Sequence, residues 1–198
     1  MYHHKIIFTG PVGSGKTTAI ETLSDVPVVC TDQRATDSDE IGKAKTTVAM
    51  DYGKILLKSG ETIHLYGTPG QDRFDFMWDI LTEGGIGLII LVDNSNTDPI
   101  DDLAHFLTAF SDFIGQTATA IGVTHTDVTV LRNLHRYHQL LERFKLRCPL
   151  FEVDARDPRD MSRLMEALLL SLDPGIRVPA SEADHGAVSS QDVKPDRH

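Results

Sequence analysis

The sequence has few cysteines, no long apolar segment and no excess of basic residues. Its 198 residues include only Cys30 and Cys148, too few for a disulfide framework, which favours a reducing compartment. A net charge of −10 argues against nucleic acid or a membrane surface as the main partner. The longest apolar run, 86–92, is too short to span a bilayer, and no signal-peptide or lipidation pattern is present. These absences predict a cytoplasmic protein without stable membrane insertion.

Strand and helix patterns alternate along the chain, which is typical of an α/β fold with helices on both faces of a parallel sheet. Two strand patterns flank Ser59-Gly60 and predict a hairpin. This hairpin places one antiparallel edge strand on a mostly parallel, mixed six-stranded sheet. The six predicted strands are 5–9, 48–58, 61–66, 86–92, 120–124 and 150–153.

Helix signals follow several of the strands. A first helix is predicted over 15–23, and Asp98-Pro99 and Asp157-Pro158 each give a later helix an N-cap followed by a first-turn proline. A further helix shows an apolar stripe of Leu131, Leu134, His138 and Leu141.

Two segments lack such periodicity. The stretch 27–45 is rich in Asp and Thr and predicts a loop. From Pro174 onward the chain becomes polar, which predicts a disordered tail over 174–198 after a single domain over 1–173.

A phosphate-binding pattern, G-x-x-x-x-G-K-[ST], directly follows the first predicted strand. Glycines let several backbone N–H groups point at phosphate oxygens, and the helix N-terminus adds a positive dipole end. The lysine is expected to reach the outer phosphates and the following threonine to bind Mg²⁺. The predicted set is Gly10, Pro11, Val12, Gly13, Ser14, Gly15, Lys16 and Thr17, with Thr18 next in the helix.

A second motif, Gly67-Thr68-Pro69-Gly70-Gln71, follows the predicted hairpin. The backbone N–H of Gly70 is suited to meet a terminal phosphate, and Gln71 can orient a water for in-line attack. The alternative is an ordinary strand-to-helix loop with a Pro-Gly turn.

In their order, these motifs resemble those of the small Ras-like P-loop GTPases, and within them the bacterial MglA-like group. The similarity runs over residues 4 to 173. Thr47 resembles the switch I threonine that closes over Mg²⁺ and the γ-phosphate, and 67–73 resembles switch II. The place of the guanine motif is taken by Thr124, His125, Thr126 and Asp127, and the last nucleotide loop by Asp154, Ala155 and Arg156.

The chain departs from the Ras-like pattern at two places. Gly67 stands where the switch II aspartate, a partner of Mg²⁺, is usual; Asp51 or Asp32 is a candidate replacement. At the base motif, Asp127 is retained and can accept hydrogen bonds from guanine N1–H and its amino group. His125 can lay its ring over the base where lysine is usual. The alternative is a plain strand-end turn and an adenine base.

The resemblance implies a molecular switch that binds GTP and Mg²⁺ and hydrolyses GTP slowly. Lys16 and Gln71 are the expected catalytic groups. The positive charge needed at the transition state comes from Arg34, Arg73 or a partner, although a solvated charge or salt bridge also explains each arginine. The resemblance further implies a Roadblock-type regulator and a role in polarity, motility or signalling complexes.

Two alternatives to a GTPase stay open. A nucleotide-binding scaffold without appreciable turnover fits Gly67 and the altered base motif. An ATP-dependent P-loop kinase would need an arginine-rich lid, which the sequence does not show. Trp78, with Phe74, Phe76 and Met77, is either an effector-binding patch or core packing against the sheet.

Overall fold

The computed structural model describes residues 3–30, 50–70, 76–128 and 134–172. Six helices occur in these ranges: α1 (Lys16–Leu23), α2 (Phe76–Thr82), α3 (Pro99–Ala109), α4 (Ser111–Ile114), α5 (Leu134–Arg143) and α6 (Pro158–Leu172). The strands are β1 (His3–Thr9), β2 (Val29–Cys30), β3 (Asp51–Leu56), β4 (Thr62–Gly67), β5 (Gly87–Asp93), β6 (Ala118–Thr124) and β7 (Leu150–Glu152).

The strands form one sheet in the order β2-β3-β4-β1-β5-β6-β7. Strand β3 is antiparallel to both β2 and β4, and the other neighbouring pairs are parallel. The predicted mixed α/β sheet is therefore confirmed, but its count of six strands is wrong, because the described residues form seven. The additional strand, β2, lies inside the predicted loop 27–45 and pairs with β3. Contrary to the prediction, the antiparallel strand β3 is therefore not at the edge of the sheet.

The hairpin between β3 and β4 turns as its sequence indicates. Gly60 has a φ of 86°, a left-handed conformation that favours glycine, and its N–H donates to the Leu57 carbonyl at 2.9 Å. Strand β3 begins at Asp51 and ends at Leu56, so it is shorter than the predicted 48–58.

All seven residues of β5 are buried, as its continuous apolar run predicts. Its alternate side chains enter two separate apolar clusters, one on each face of the sheet. Ile89 and Leu91 join the cluster formed with α1 and α6. Leu88 and Ile90 join the cluster formed with α2, α3 and α5.

Helix α1 packs closely on the hairpin because two glycines lie beneath Ile20. A Cβ added at Gly53 would lie 2.8 Å from Ile20 Cγ2, and one added at Gly67 would lie 3.0 Å from Ile20 Cδ1. The fully buried Ile20 side chain thus occupies a groove that side chains on β3 and β4 would otherwise fill.

The predicted cap of α3 is confirmed. The Asp98 carboxylate accepts a hydrogen bond from the Asp101 N–H at 3.3 Å, with Pro99 in the first turn. Asp157 likewise accepts from the Arg159 N–H at 2.8 Å at the start of α6.

The predicted face of α5 is partly wrong. Tyr137 is fully buried there, whereas His138 is exposed. Tyr137 shares the helical spacing of Leu134 and Leu141, and its larger apolar ring takes the core position.

Trp78 belongs to the core. It is 5% exposed and stacks on Phe110, with 4.9 Å between ring centroids. This decides the open choice for Trp78 in favour of packing. The side chains of Phe74, Phe76 and Met77 lie outside the described part of the structure, and so do Leu131 and the segment 174–198.

Among the described residues, no helix has the length and apolar character needed to cross a membrane.

Candidate nucleotide-binding site

The sequence motifs meet at one edge of the sheet. Strands β1, β4, β5, β6 and β7 are mutually parallel through their neighbours, so their C-terminal ends lie on the same side. In open α/β sheets this edge is where ligands bind. The glycine-rich loop, Gly70 and the predicted base motif all follow these strand ends.

The glycine-rich loop depends on glycine at three positions. Gly10, Gly13 and Gly15 have φ values of 139°, 84° and 92°, which other residues rarely adopt. A Cβ at Gly10 would also collide with the Leu91 carbonyl of β5. The backbone conformation of the predicted phosphate-binding loop therefore depends on glycine. Gly15 is also the N-cap of α1.

Lys16 points its ammonium group back into this loop. Its Nζ donates to the carbonyl oxygens of Gly10 at 2.8 Å and Pro11 at 2.7 Å. The residue is 8% exposed, and burial lowers the pKa of Lys16 to about 8, against an opposing effect of the Asp51 charge. The loop thus holds a buried cation with few compensating charges, which favours binding of an anion.

The loop after β4 touches the glycine-rich loop at Gly70. A Cβ at Gly70 would lie 2.7 Å from the Val12 nitrogen and 2.8 Å from Lys16 Nζ. Only glycine fits so close to the lysine. The backbone of residue 70 is therefore next to the group expected to contact the outer phosphates.

Thr17 lies beside a carboxylate. Its Oγ1 donates to Asp51 Oδ2 at 2.6 Å, and the two residues come from α1 and β3. Thr17 is the predicted Mg²⁺ ligand, and Asp51 is one of the two candidate replacements for the missing aspartate at position 67. Hydroxyl and carboxylate oxygens are ligands that Mg²⁺ accepts, so these residues fit the ion. Among the described residues, no group of three or more His, Cys, Asp or Glu side chains could hold a metal on its own.

Thr124 joins the base motif to the glycine-rich loop. Its Oγ1 lies 3.1 Å from both the Ser14 carbonyl oxygen and the Val92 carbonyl oxygen. Ala155 supports the same loop, since a Cβ at Gly15 would lie 3.0 Å from the Ala155 Cβ. Ras-like GTPases usually have asparagine at this position. The shorter side chain of Thr124 nevertheless reaches the glycine-rich loop.

His125 is held in an uncommon conformation. Its φ is 57°, in the left-handed region, and its Nδ1 lies 3.1 Å from Asp93 Oδ1. Such strain in a residue with a side chain persists where the surroundings hold it and clusters at ligand sites. Asp93 is buried at the end of β5 and also accepts from Ser95. Sequence analysis assigned Asp93 no role, although its position at the end of a buried strand is a signal that could have identified it.

Asp127 has a partner in this structure. Arg156 Nη2 donates to Asp127 Oδ2 at 2.7 Å and to Asp154 Oδ2 at 2.8 Å. The hydrogen bonds that the Arg156 side chain and backbone N–H donate to Asp154 lower the pKa of Asp154 to about 2. The Asp127 carboxylate, which is predicted to recognise the base, is thus hydrogen-bonded to the Arg156 guanidinium. The sequence did not predict this contact, because the two residues are far apart in the chain.

The remaining predicted residues divide into two groups. Thr18 is half-buried in α1 next to Thr17. Thr47, Gln71, Arg34, Arg73 and the alternative Asp32 lie outside the described residues.

Comparison with known proteins identifies a nucleotide-binding family. The family described as conserved hypothetical ATP-binding protein matches residues 28–187, more than half of the chain. The matched range begins after the glycine-rich loop, so the loop and the family match are separate observations that agree on nucleotide binding.

One curated relative is an uncharacterized protein of Methanocaldococcus jannaschii. It is 34% identical over 94 residues, which are 46% of this chain and 51% of the relative. The match thus covers only about half of the relative's length. This relative is archaeal, whereas the resemblance in the motifs is to a bacterial group.

Proposed function

We propose that this chain, which belongs to the conserved hypothetical ATP-binding protein family, is a small guanine-nucleotide switch that hydrolyses GTP slowly. Within the P-loop type, we assign it to the Ras-like GTPases and their MglA-like group. The observation that carries the proposal is the approach of Gly70 to Lys16, where a Cβ would lie 2.8 Å from Nζ. This contact supports the proposal, because the loop after β4 then lies beside the lysine that is expected to contact the outermost phosphate, as a sensor of that phosphate requires.

In the proposed mechanism, Lys16 exchanges its two carbonyl partners for phosphate oxygens and, with the loop N–H groups, stabilises their charge. Thr17 and Thr47 would hold Mg²⁺, which would supply positive charge next to the phosphates. Gln71 orients the attacking water. When the γ-phosphate leaves, the contacts of Thr47 and Gly70 to it are lost, and both switch segments relax.

The base preference is proposed to come from Asp127. A carboxylate there accepts from guanine N1–H and the amino group, whereas adenine offers no such pair of donors on that edge. Arg156 must first leave Asp127 Oδ2. Asp154, Ala155, Thr124 and His125 line the same end of the sheet and are proposed to border the base.

The positive charge at the transition state is proposed to come from Arg34, Arg73 or a partner protein. A Roadblock-type regulator is the partner that the resemblance suggests. The role in polarity, motility or signalling complexes is proposed on the same basis.

The test compares GTP with ATP, using the full chain with Mg²⁺, in both equilibrium binding and turnover. GTP-selective hydrolysis is expected, with turnover reduced about 100-fold or more in Gln71→Ala because water is no longer oriented. Asp127→Ala is expected to lose the preference for GTP over ATP. Gln139→Ala in α5 and Asp112→Ala in α4 are the matched controls, because both residues are exposed and neither belongs to the candidate site.

Binding without turnover is the second candidate function. The absence of a carboxylate at Gly67 favours it, since one contact to the metal is then missing. Tight GTP or GDP binding without hydrolysis, even with a candidate activator, would establish this scaffold. A preference for ATP would contradict the assignment of Asp127 and agree with the family's description.

A further inference from the structure

Next to the predicted Mg²⁺ ligand Thr17, an aspartate on β3 lies directly opposite a glycine on β4. Asp51 and Gly67 are direct partners in the antiparallel register. A Cβ added at Gly67 would lie 3.1 Å from both Asp51 Cβ and Asp51 Oδ2. The carboxylate of Asp51 therefore occupies the space into which a side chain at position 67 would extend.

This carboxylate also contacts the predicted metal ligand. Asp51 Oδ2 accepts a hydrogen bond from the Thr17 hydroxyl group, with 2.6 Å between the two oxygen atoms. A hydroxyl has one proton and two lone pairs, so donation to Asp51 leaves the Thr17 oxygen free to coordinate a cation. Asp51 thus places negative charge beside Thr17 and fixes the direction of its hydroxyl proton.

The remaining surroundings agree with a cation at this place. Lys16 lies in the adjacent loop, and Asp51 is the charge that acts on it most. Mg²⁺ is commonly held by one or two carboxylates together with phosphate oxygens and water. Thr17 alone supplies no negative charge, and glycine at position 67 supplies none either.

We propose that Asp51 provides the carboxylate of the divalent-cation site, in place of the side chain that Gly67 lacks. This inference rests on the proposed nucleotide site, but it does not depend on which base the site prefers. Carboxylate partners of metal ligands typically change metal affinity by about 10- to 100-fold when removed.

The first test measures how Mg²⁺ slows the release of fluorescent GDP and, separately, of fluorescent ADP. In Asp51→Asn, the Mg²⁺ concentration for half of this effect is expected to rise about 10- to 100-fold, because charge is lost while shape is kept. Release in EDTA is expected to be no faster than in the unsubstituted protein. Asp25→Asn is the matched control, since Asp25 binds the Leu56 N–H at the far end of the same strand.

The second test exchanges the two residues. Asp51→Gly with Gly67→Asp transfers the carboxylate from β3 to its partner position on β4 and is expected to restore the Mg²⁺ dependence. Ile20→Val is added to this exchange, because it removes the Cδ1 atom that would lie 3.0 Å from a Cβ at position 67. Gly67→Asp alone is expected to destabilise the fold, because its side chain meets Ile20 and Asp51. The exchange therefore also covers the case in which Asp51→Asn folds poorly.

The outcomes separate this inference from the proposed function. An unchanged Mg²⁺ dependence in Asp51→Asn, or an exchange that restores nothing, would overturn the role of Asp51. Retention of ADP rather than GDP would overturn the guanine preference, while the ADP data would still test Asp51. Retention of neither nucleotide would overturn both.

Discussion

Arg156 and Asp127 form a contact that a base bound at the proposed site would have to break. Their side chains are 66% and 54% exposed, and Arg156 keeps a second partner in Asp154. Exposed pairs of this kind contribute little to stability because solvent screens them. The main effect expected of this contact is competition with a bound base for the carboxylate of Asp127, which is proposed to recognise that base.

Arg156→Ala is expected to raise the affinity for GDP about two- to fivefold and to leave the melting temperature nearly unchanged. Equilibrium titration with fluorescent GDP, alongside thermal unfolding of the nucleotide-free protein, measures both. Arg159→Ala, an exposed arginine at the start of α6, is the control. A marked loss of affinity would show instead that Arg156 contacts the bound nucleotide.

At the scale of elements, the fit between α1 and the hairpin is tight at Gly53. Gly53→Ala is expected to destabilise the protein by about 1–3 kcal/mol, because the added methyl group would lie 2.8 Å from Ile20 Cγ2 and 2.9 Å from Ser24 Oγ. Urea unfolding measures this free energy. Gly115→Ala is the control, because Gly115 has an ordinary φ of −67° and its added Cβ would lie no closer than 3.5 Å to another atom.

The double substitution Gly53→Ala with Ile20→Ala checks the cause. If the methyl group acts through Ile20, the two effects are not additive, and the added methyl costs less once Ile20 is shortened. Additive effects would contradict the described packing.

The elements were predictable where local signals are strong. The apolar run of β5, the Asp98 cap and the glycine-rich loop each result from neighbouring residues, so sequence alone identified them. Strand β2 has only two residues, both exposed, and is held by backbone pairing with β3. It carries no periodicity that a sequence could reveal.

The arrangement of the site was predictable only in part. The order of the motifs placed Lys16, Gly70 and Asp127 at one edge of the sheet. The pairing of Asp51 with Gly67 depends on strand register, and that of Arg156 with Asp127 depends on side chains 29 positions apart. Such contacts are set by tertiary structure, which no local pattern encodes.

For the whole molecule, the buried Lys16 predicts a dependence of stability on pH. Its pKa is lowered from 10.5 to about 8, so between these values the unfolded chain binds more protons at this position than the folded chain. Stability of the protein free of nucleotide and metal is therefore expected to rise with pH in this window, by about 3 kcal/mol from this group. Below pH 8 both states are protonated, and the contribution is constant.

Urea unfolding at several pH values measures this dependence, and the difference from Lys16→Met isolates it from other groups that titrate in the same range. The variant is expected to lack the rise. Equal slopes in both proteins would contradict the lowered pKa of Lys16.

The position of Ile20 above Gly53 and Gly67 has a mechanical consequence for the hairpin. A hairpin displaced by two residues along α1 would bring Asp51 or Ile55 of β3 under Ile20, where the close contact at Gly53 leaves no room for a larger side chain. Ile20 therefore acts as a stop against sliding of β3 and β4. The packing of one isoleucine side chain thus holds both strands of the hairpin at a single position along α1.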